Sequence, residues 1–67
     1  MILWIARNKN NTLALHTAEP ILYYNECYEG PYKSQKIELD ENLFPEVTFE
    51  NSPQEVELTL PNLNIIF

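Results

Sequence analysis

The sequence predicts a mainly β fold, a small antiparallel sheet of four to five short strands with one helical turn. Two observations lead to this prediction. Residues 2–7, ILWIAR, are β-branched and aromatic enough to form a strand, and residues 12–17, TLALHT, follow as a second. Residues 54–60, QEVELTL, alternate between polar and apolar side chains, which is the period of a strand with one buried face.

The residues between the first two strands, Asn8-Lys9-Asn10-Asn11, are predicted to form a four-residue hairpin loop. Asparagine tolerates positive φ better than any residue except glycine, so we expect positive φ at Asn11. With Arg7 opposite Thr12, one apolar face of the hairpin comprises Ile2, Trp4, Ala6, Leu13 and Leu15. The other face comprises Leu3, Ile5, Ala14 and His16. A hairpin that is apolar on both sides must be covered on both sides.

The middle of the chain contributes two further predicted strands. Residues 21–24 form a short strand, and residues 25–31 form a loop that contains the Gly-Pro pair. Residues 32–39, YKSQKIEL, alternate weakly and are predicted to form the next strand, with Ile37 and Leu39 facing inward.

The helical turn is predicted over residues 41–44, where Asp40 can cap it and Pro45 prevents its extension. Leu43 and Phe44 are expected to plug the core at this point. The chain then runs through a short extended piece and the Asn-Ser-Pro turn into the last strand.

All of 1–67 is assigned to a single domain, in which 61–67 form an apolar C-terminal tail. A chain this short buries only about 60% of its unfolded surface, so its stability needs additional support. One cysteine and one histidine exclude an internal disulfide and fall short of a structural zinc site. We therefore expect a homo-oligomer, with the tail docked on the hairpin or on a neighbouring subunit.

The net charge is −6, and its distribution is uneven. All four basic residues precede Ile37, and the remaining chain holds seven acidic residues. This balance opposes direct binding to nucleic acid, whose affinity comes largely from neutralised phosphates. A basic protein partner, or solubility alone, is consistent with it.

The apolar start, MILWIA, is too short for the core of a signal peptide, and no run approaches the roughly 20 apolar residues of a membrane span. A lone cysteine is typical of a reducing compartment. The expected location is the cytoplasm of the host cell, away from the membrane.

No catalytic constellation is visible in the sequence. His16 lacks a nucleophile and an orienting carboxylate at motif spacing, and Cys27 lies between Glu26 and Glu29, whose negative charge disfavours a reactive thiolate. The acidic residues lack the loop spacing of a calcium site. We predict no enzymatic activity, no cofactor and no bound metal.

Two groups of residues are the candidate partner- or ligand-binding residues. Tyrosine is enriched at interfaces, and a tyrosine beside a lysine can stack a base and contact a phosphate. The first group is Tyr23, Tyr24, Tyr28, Tyr32, Lys33 and Lys36. The second is an acidic group, Glu46, Glu50, Glu55 and Glu57. In each case the alternative is structural: tyrosines that edge the core, and a solvated acidic face.

The stretches LWIARNKNNTLALHT (3–17) and LFPEVTFENSPQEVEL (43–58) resemble a group of short uncharacterised proteins of phages and mobile elements of gut bacteria. Those proteins read W-I-A-R-D-K-D-G-x-L-x-L and L-F-P-E-V-x-W/F-E-x-x-P-x-E-V-x-L. The match covers about half of the chain and departs at Asn8, Asn10 and Asn11, where the group has aspartates and glycine. The resemblance implies a phage or mobile-element origin and no established activity.

The leading hypothesis is a non-enzymatic interaction protein that binds a host protein and inhibits it, with host-defence proteins as the class considered. One alternative is an oligomeric sponge that sequesters a small signalling nucleotide between subunits. The other is an acidic nucleic-acid mimic that competes for a DNA-binding protein.

Overall fold

The structure, a computed structural model, describes residues 1–57. Its strands are β1 (Ile2–Arg7), β2 (Leu13–His16), β3 (Ile21–Leu22), β4 (Tyr28–Glu29), β5 (Lys36–Leu39) and β6 (Gln54–Glu57). Four form an antiparallel sheet in the order β5-β2-β1-β6, and β3 pairs with β4 in a second sheet. The predicted mainly β fold is confirmed. The predicted continuation of the last strand to residue 60 and the predicted tail lie outside the described residues.

The central hairpin of β1 and β2 differs by one residue from the predicted register. Arg7 pairs with Leu13 rather than with Thr12. The connecting loop is therefore one residue longer, and the N–H of Asn8 closes it by donating to the carbonyl of Thr12 at 2.9 Å. Asn11 has a φ of 81°, as predicted. Because side chains alternate along a strand, the shift changes which residues of the two strands share a face.

The corrected register defines the two faces of the large sheet. The core face comprises Leu3, Ile5, Arg7, Leu13, Leu15, Ile37, Leu39, Gln54 and Val56. The histidine face comprises Ile2, Trp4, Ala6, Ala14, His16, Lys36, Glu38, Glu55 and Glu57. Trp4 and Leu15 therefore lie on opposite faces, which corrects the predicted grouping.

The hydrophobic core lies on the core face, where Ile5, Leu13 and Val47 are 4%, 1% and 4% exposed. Leu39 packs against this cluster, as predicted for an inward residue. Ile37 lies on the same face but remains 62% exposed, because β5 is the last described strand on its side of the sheet. The prediction for Ile37 is thus right about its face and wrong about its burial.

Residues 40–53 cover the core face with irregular chain rather than with a helical turn. Asp40 does cap this segment. Its side-chain oxygen accepts a hydrogen bond from the N–H of Asn42 at 2.8 Å, and its carbonyl oxygen accepts one from the N–H of Leu43 at 3.0 Å. The φ of 50° at Phe44 then ends the turn before a helix can form. Leu43 and Phe44 are 46% and 47% exposed, so the expectation that they plug the core is wrong. Val47 is the residue that enters the core.

Residues 20–35 cover the histidine face. The N–H of Thr17 donates to the carbonyl of Gln35 at 2.9 Å, and the N–H of Lys9 donates to that of Glu26 at 3.2 Å. Gly30 lies beside the His16 ring, since a Cβ at this position would be in van der Waals contact with Nδ1 at 3.9 Å. This segment contains β4, where the sequence predicted only a loop. Both faces of the hairpin are therefore covered, each by a single loop-rich segment.

Arg7 joins the sheet to the segment that covers its core face. The residue is 6% exposed, and its three guanidinium nitrogens donate to main-chain carbonyls. Those acceptors are Asn11 at 2.9 Å, Glu41 at 3.0 Å, Leu43 at 2.9 Å, Phe44 at 3.1 Å and Val47 at 2.6 Å. The side-chain oxygen of Asn11 also accepts, at 3.3 Å. A buried guanidinium is stable only when its donors are satisfied, and here carbonyl oxygens rather than a carboxylate satisfy them.

The arginine contacts connect the two stretches on which the family resemblance rests. Arg7 belongs to LWIARNKNNTLALHT, and three of its acceptors, Leu43, Phe44 and Val47, belong to LFPEVTFENSPQEVEL. Ser52 adds a second connection, because its Oγ accepts from the Arg7 backbone N–H at 2.9 Å and donates to the Thr48 carbonyl at 2.6 Å. The two stretches thus form one structural unit.

Candidate interaction surface

The four predicted tyrosines divide into exposed and buried residues. Tyr24 is 100% exposed, Tyr32 91% and Tyr23 45%, whereas Tyr28 is 6% exposed. The identity of the side chain alone did not distinguish them. Three of the four are available to a partner in this structure.

Tyr28 is part of the interior. Its N–H donates to the side-chain oxygen of Asn8 at 2.7 Å, which holds β4 against the hairpin loop. Its hydroxyl has one hydrogen to donate and lies 2.9 Å from the carbonyl oxygen of Ser52 and 3.2 Å from that of Phe49. The ring packs at a tilt on Phe49, with 5.8 Å between centroids. This residue therefore connects the covering segments, and its ring is not presented to a ligand.

An apolar patch lies on the β3–β4 hairpin. We call Ile21, Leu22, Tyr23 and Tyr24 the hairpin patch; the first two are 58% and 47% exposed. A turn holds the patch in place, because the N–H of Tyr23 donates to the Cys27 carbonyl at 3.0 Å and the N–H of Glu26 to the Tyr23 carbonyl at 2.9 Å. Four consecutive exposed large side chains, two in β3 and two in the turn after it, favour a contact surface.

Each of the basic residues already has a partner within residues 1–57. Arg7 is buried among carbonyls, as described above. Lys9 lies 3.2 Å from a carboxylate oxygen of Glu26, and Lys36 lies 3.6 Å from one of Glu29. Lys33 lies over the Tyr32 ring, 5.7 Å from its centroid. Little positive charge is left to oppose the remaining carboxylates, so the surface is predominantly negative.

The acidic candidates do not form one surface. Glu46, Glu50, Glu55 and Glu57 are all exposed. Glu55 and Glu57 project from the histidine face, opposite Trp4 and Ile2 of β1. Glu46 lines an apolar groove of about 300 Å³ on the core face, and Glu50 lines a separate cleft of about 530 Å³ beside Arg7. The predicted alternation is nevertheless right, since Val56 packs against the core while both of its neighbours face solvent.

His16 lies in a small cleft of about 160 Å³ lined by Glu29, Gly30 and Ser34, among others. The residue is 2% exposed, and burial lowers the pKa of its imidazole. The charge of Lys36 lowers this pKa further, whereas that of Glu29 raises it. The Ser34 hydroxyl donates to the carbonyl of Pro31 at 2.6 Å. A serine held in this way is not oriented as a nucleophile towards the histidine.

Cys27 is a free, half-buried thiol at the end of the hairpin patch. It lines a shallow hollow of about 260 Å³ with residues of the hairpin loop and of the neighbouring turn. Tyr23, Tyr24, Tyr32 and Lys33 line neither this hollow nor the other three cavities described above. The nucleotide-sponge hypothesis, which places the ligand between subunits, therefore stays a prediction.

In residues 1–57, no three His, Cys, Asp or Glu side chains converge as a metal-binding group. The same part of the chain forms no helix with the length and apolar character needed to cross a membrane. Comparison with protein-family models, with curated proteins and with solved structures finds no match.

Proposed function

We propose that this chain is a non-enzymatic interaction protein that binds a protein partner through the hairpin patch. The observation that supports this most directly is the exposure of four consecutive large side chains, Ile21, Leu22, Tyr23 and Tyr24, in β3 and the turn that follows it. Solvent contact by large apolar side chains is unfavourable, and burying them against a partner would contribute about 25 cal/mol for each Å² of apolar area.

The charge around the patch indicates the kind of partner surface. Glu19 and Glu26 flank the patch and are exposed, and Glu26 has only a solvent-exposed contact with Lys9. A complementary partner presents an apolar groove bordered by arginine or lysine. Tyrosine is suited to such a groove because its ring supplies apolar area while its hydroxyl donates a hydrogen bond at the rim.

The biological setting is proposed from the resemblance described above. In that setting the chain would act by occupying a host protein, and host-defence proteins are the class we propose. Inhibition would follow if the patch covers a surface that the host protein needs.

The test compares capture of host proteins by variants that differ only in the patch. The wild-type chain, Ile21→Ser/Tyr24→Ser and Leu43→Ser are immobilised and exposed to lysates of gut bacteria. Leu43 is the matched control, since it is 46% exposed but lies on the segment over the core face. We expect one host protein to be retained by the wild type and by Leu43→Ser and lost on the double variant. Equal retention by all three chains would refute the proposal.

A second measurement tests the charge argument with the purified pair. Binding should weaken as salt rises from 50 to 500 mM, because screening removes attraction between the acidic surface and a basic rim. Salt-insensitive affinity would show that the acidic residues only solvate the protein. Urea melting curves of the three chains must coincide within error, so that loss of binding is not loss of folding.

A further inference from the structure

The outer edge of β5 has no neighbouring strand within residues 1–57. The direction of its backbone groups follows from the ladder with β2. The N–H of Thr17 donates to the carbonyl of Gln35, so the backbone N–H and C=O of Gln35 point towards β2. The direction of the backbone groups alternates along a strand. The N–H and C=O of Ile37 and Leu39 therefore also point towards β2, whereas those of Lys36 and Glu38 point outwards.

At the edge of β6 the direction of the backbone groups follows from the ladder with β1. The backbone N–H of Arg7 donates to Ser52 Oγ, which lies on the β6 side of β1. The backbone groups of Leu3 and Ile5 therefore also point towards β6. The backbone groups of their partners, Val56 and Gln54, therefore point back towards β1, and those of Glu55 and Glu57 point outwards. Within residues 1–57 the sheet thus has two edges that differ in charge. The residues with outward backbone groups are Lys36 and Glu38 on β5, and Glu55 and Glu57 on β6.

We propose that two copies of this chain pair antiparallel through their β5 edges, about a two-fold axis at Ile37. In this register Lys36 lies opposite the partner's Glu38, and Glu38 lies opposite the partner's Lys36. Both are hydrogen-bonded positions, so each pair exchanges two N–H···O=C bonds. The two side chains of each pair have opposite charge and lie on the same face of the sheet, which stabilises directly opposed residues.

The two-fold axis also brings the Ile37 side chains together. Ile37 is 62% exposed in the single chain and forms a non-hydrogen-bonded pair with the partner's Ile37. Such pairs bring Cα atoms to about 4.5 Å, and the side chains then pack against each other. They lie on the core face, so the apolar surface of one chain continues into that of the other. This removes the most exposed apolar side chain of the large sheet's edge from water.

The alternative pairings of the same edges are less favourable. A β6–β6 pair about Val56 would set Glu55 opposite the partner's Glu57, and like charges directly opposed are destabilising. An antiparallel β5–β6 pair would combine one attractive and one repulsive contact, and as a head-to-tail contact it would give a ring or an open filament rather than a two-fold dimer. Only the β5–β5 pair is complementary at both positions, and it closes as a dimer.

The test uses charge exchange and measures mass. Lys36→Glu sets two glutamates opposite each other at both charged positions, and Glu38→Lys sets two lysines there. We expect sedimentation equilibrium to show a concentration-dependent dimer for the wild type and a dissociation constant at least about tenfold higher for each variant, since two attractive pairs become repulsive. An equimolar mixture should form the heterodimer, because every pair is then again of opposite charge. Lys36→Glu/Glu38→Lys should restore the homodimer.

A backbone variant separates edge pairing from side-chain effects. Glu38→Pro removes an outward N–H and leaves the ladder to β2 intact, which proline permits on an edge strand. It should be folded by circular dichroism and monomeric. Two results would overturn the proposal. One is a wild-type chain that is monomeric up to millimolar concentration; the other is that single charge variants dimerise like the wild type and their mixture gives only the statistical share of heterodimer.

Discussion

The strongest test of the fold concerns the buried guanidinium. Replacing Arg7 with lysine keeps the positive charge and most of the aliphatic stem but reduces the geometry from a planar fork to a single ammonium. An ammonium has three N–H donors, whereas the guanidinium donates hydrogen bonds to five main-chain carbonyl oxygens. At least two carbonyls must therefore lose their donor in Arg7→Lys.

The magnitude follows from the number of bonds lost. A hydrogen bond to a charged group contributes about 1.5–3 kcal/mol, so two of them correspond to a loss of about 3 kcal/mol or more. Domains of this length have a free energy of unfolding of about 3–10 kcal/mol. The variant should therefore lose between about a third of this free energy and all of it, which is a large effect for an exchange of one cation for another.

Equilibrium urea unfolding, followed by circular dichroism, measures this loss. Lys9→Met is the control, because it removes a cation two residues further on from an exposed pair with Glu26. Exposed ion pairs contribute about 0–1 kcal/mol, so this variant should unfold near the wild-type midpoint. An Arg7→Lys protein within 1 kcal/mol of the wild type would show that the arginine contacts do not hold the covering segment in place.

Three further results are expected. Burial lowers the pKa of His16, so the folded state binds fewer protons than the unfolded one. The contribution of His16 to stability is therefore fully present above pH 6.5 and is lost as the pH decreases through the lowered folded pKa. Unfolding curves of the wild type and His16→Gln between pH 5.5 and 7.5 should show this dependence of the free energy of unfolding on pH only in the wild type. Equal slopes in the two proteins would contradict the expectation. Tyr28→Phe should lower the free energy of unfolding by about 1 kcal/mol through loss of the hydroxyl bonds, whereas Tyr24→Phe, at a fully exposed position, should match the wild type. Gly30→Ala should lower the melting temperature because the new Cβ would overlap the Ser34 side chain, and Ser34→Ala in the same chain should restore part of the loss; no restoration would place the strain elsewhere.

The parts of the fold that were predictable from sequence are those with a periodic or local signal. The alternation at Val56 identified β6 and its buried side, and the β-branched run ILWIAR gave β1 with its observed bounds. Positive φ at Asn11 followed from local chemistry. Each of these depends on residues that are neighbours in the chain.

The features that were wrongly predicted depend on distant contacts. An asparagine-rich loop closes equally well with four or five residues, so the register of Arg7 was not determined locally. The acceptors of its guanidinium are main-chain carbonyls, which have no sequence signature. β4 is two residues long and is held by the Asn8 side chain, so its own composition could not indicate a strand.

The candidate surface was predicted only in its outline. The tyrosine cluster was recognisable from composition, but Tyr24 and Tyr28 differ by nearly the full range of exposure although they are four residues apart. Which tyrosine is buried depends on the position of Phe49 and Ser52, more than 20 residues away. Ile21 and Leu22 were assigned to a strand, and their exposure follows from the separate two-stranded sheet that they form.

The environment of Arg7 is comparable to a calcium site, in which main-chain carbonyl oxygens surround a cation and hold loops together. Here the cation is covalently part of the chain. Small domains that use a metal ion or a disulfide for the same purpose come apart under chelation or reduction, whereas neither treatment can withdraw a guanidinium from its carbonyls. The contacts that hold this segment to the sheet through Arg7 therefore need neither a bound ion nor an oxidised cysteine.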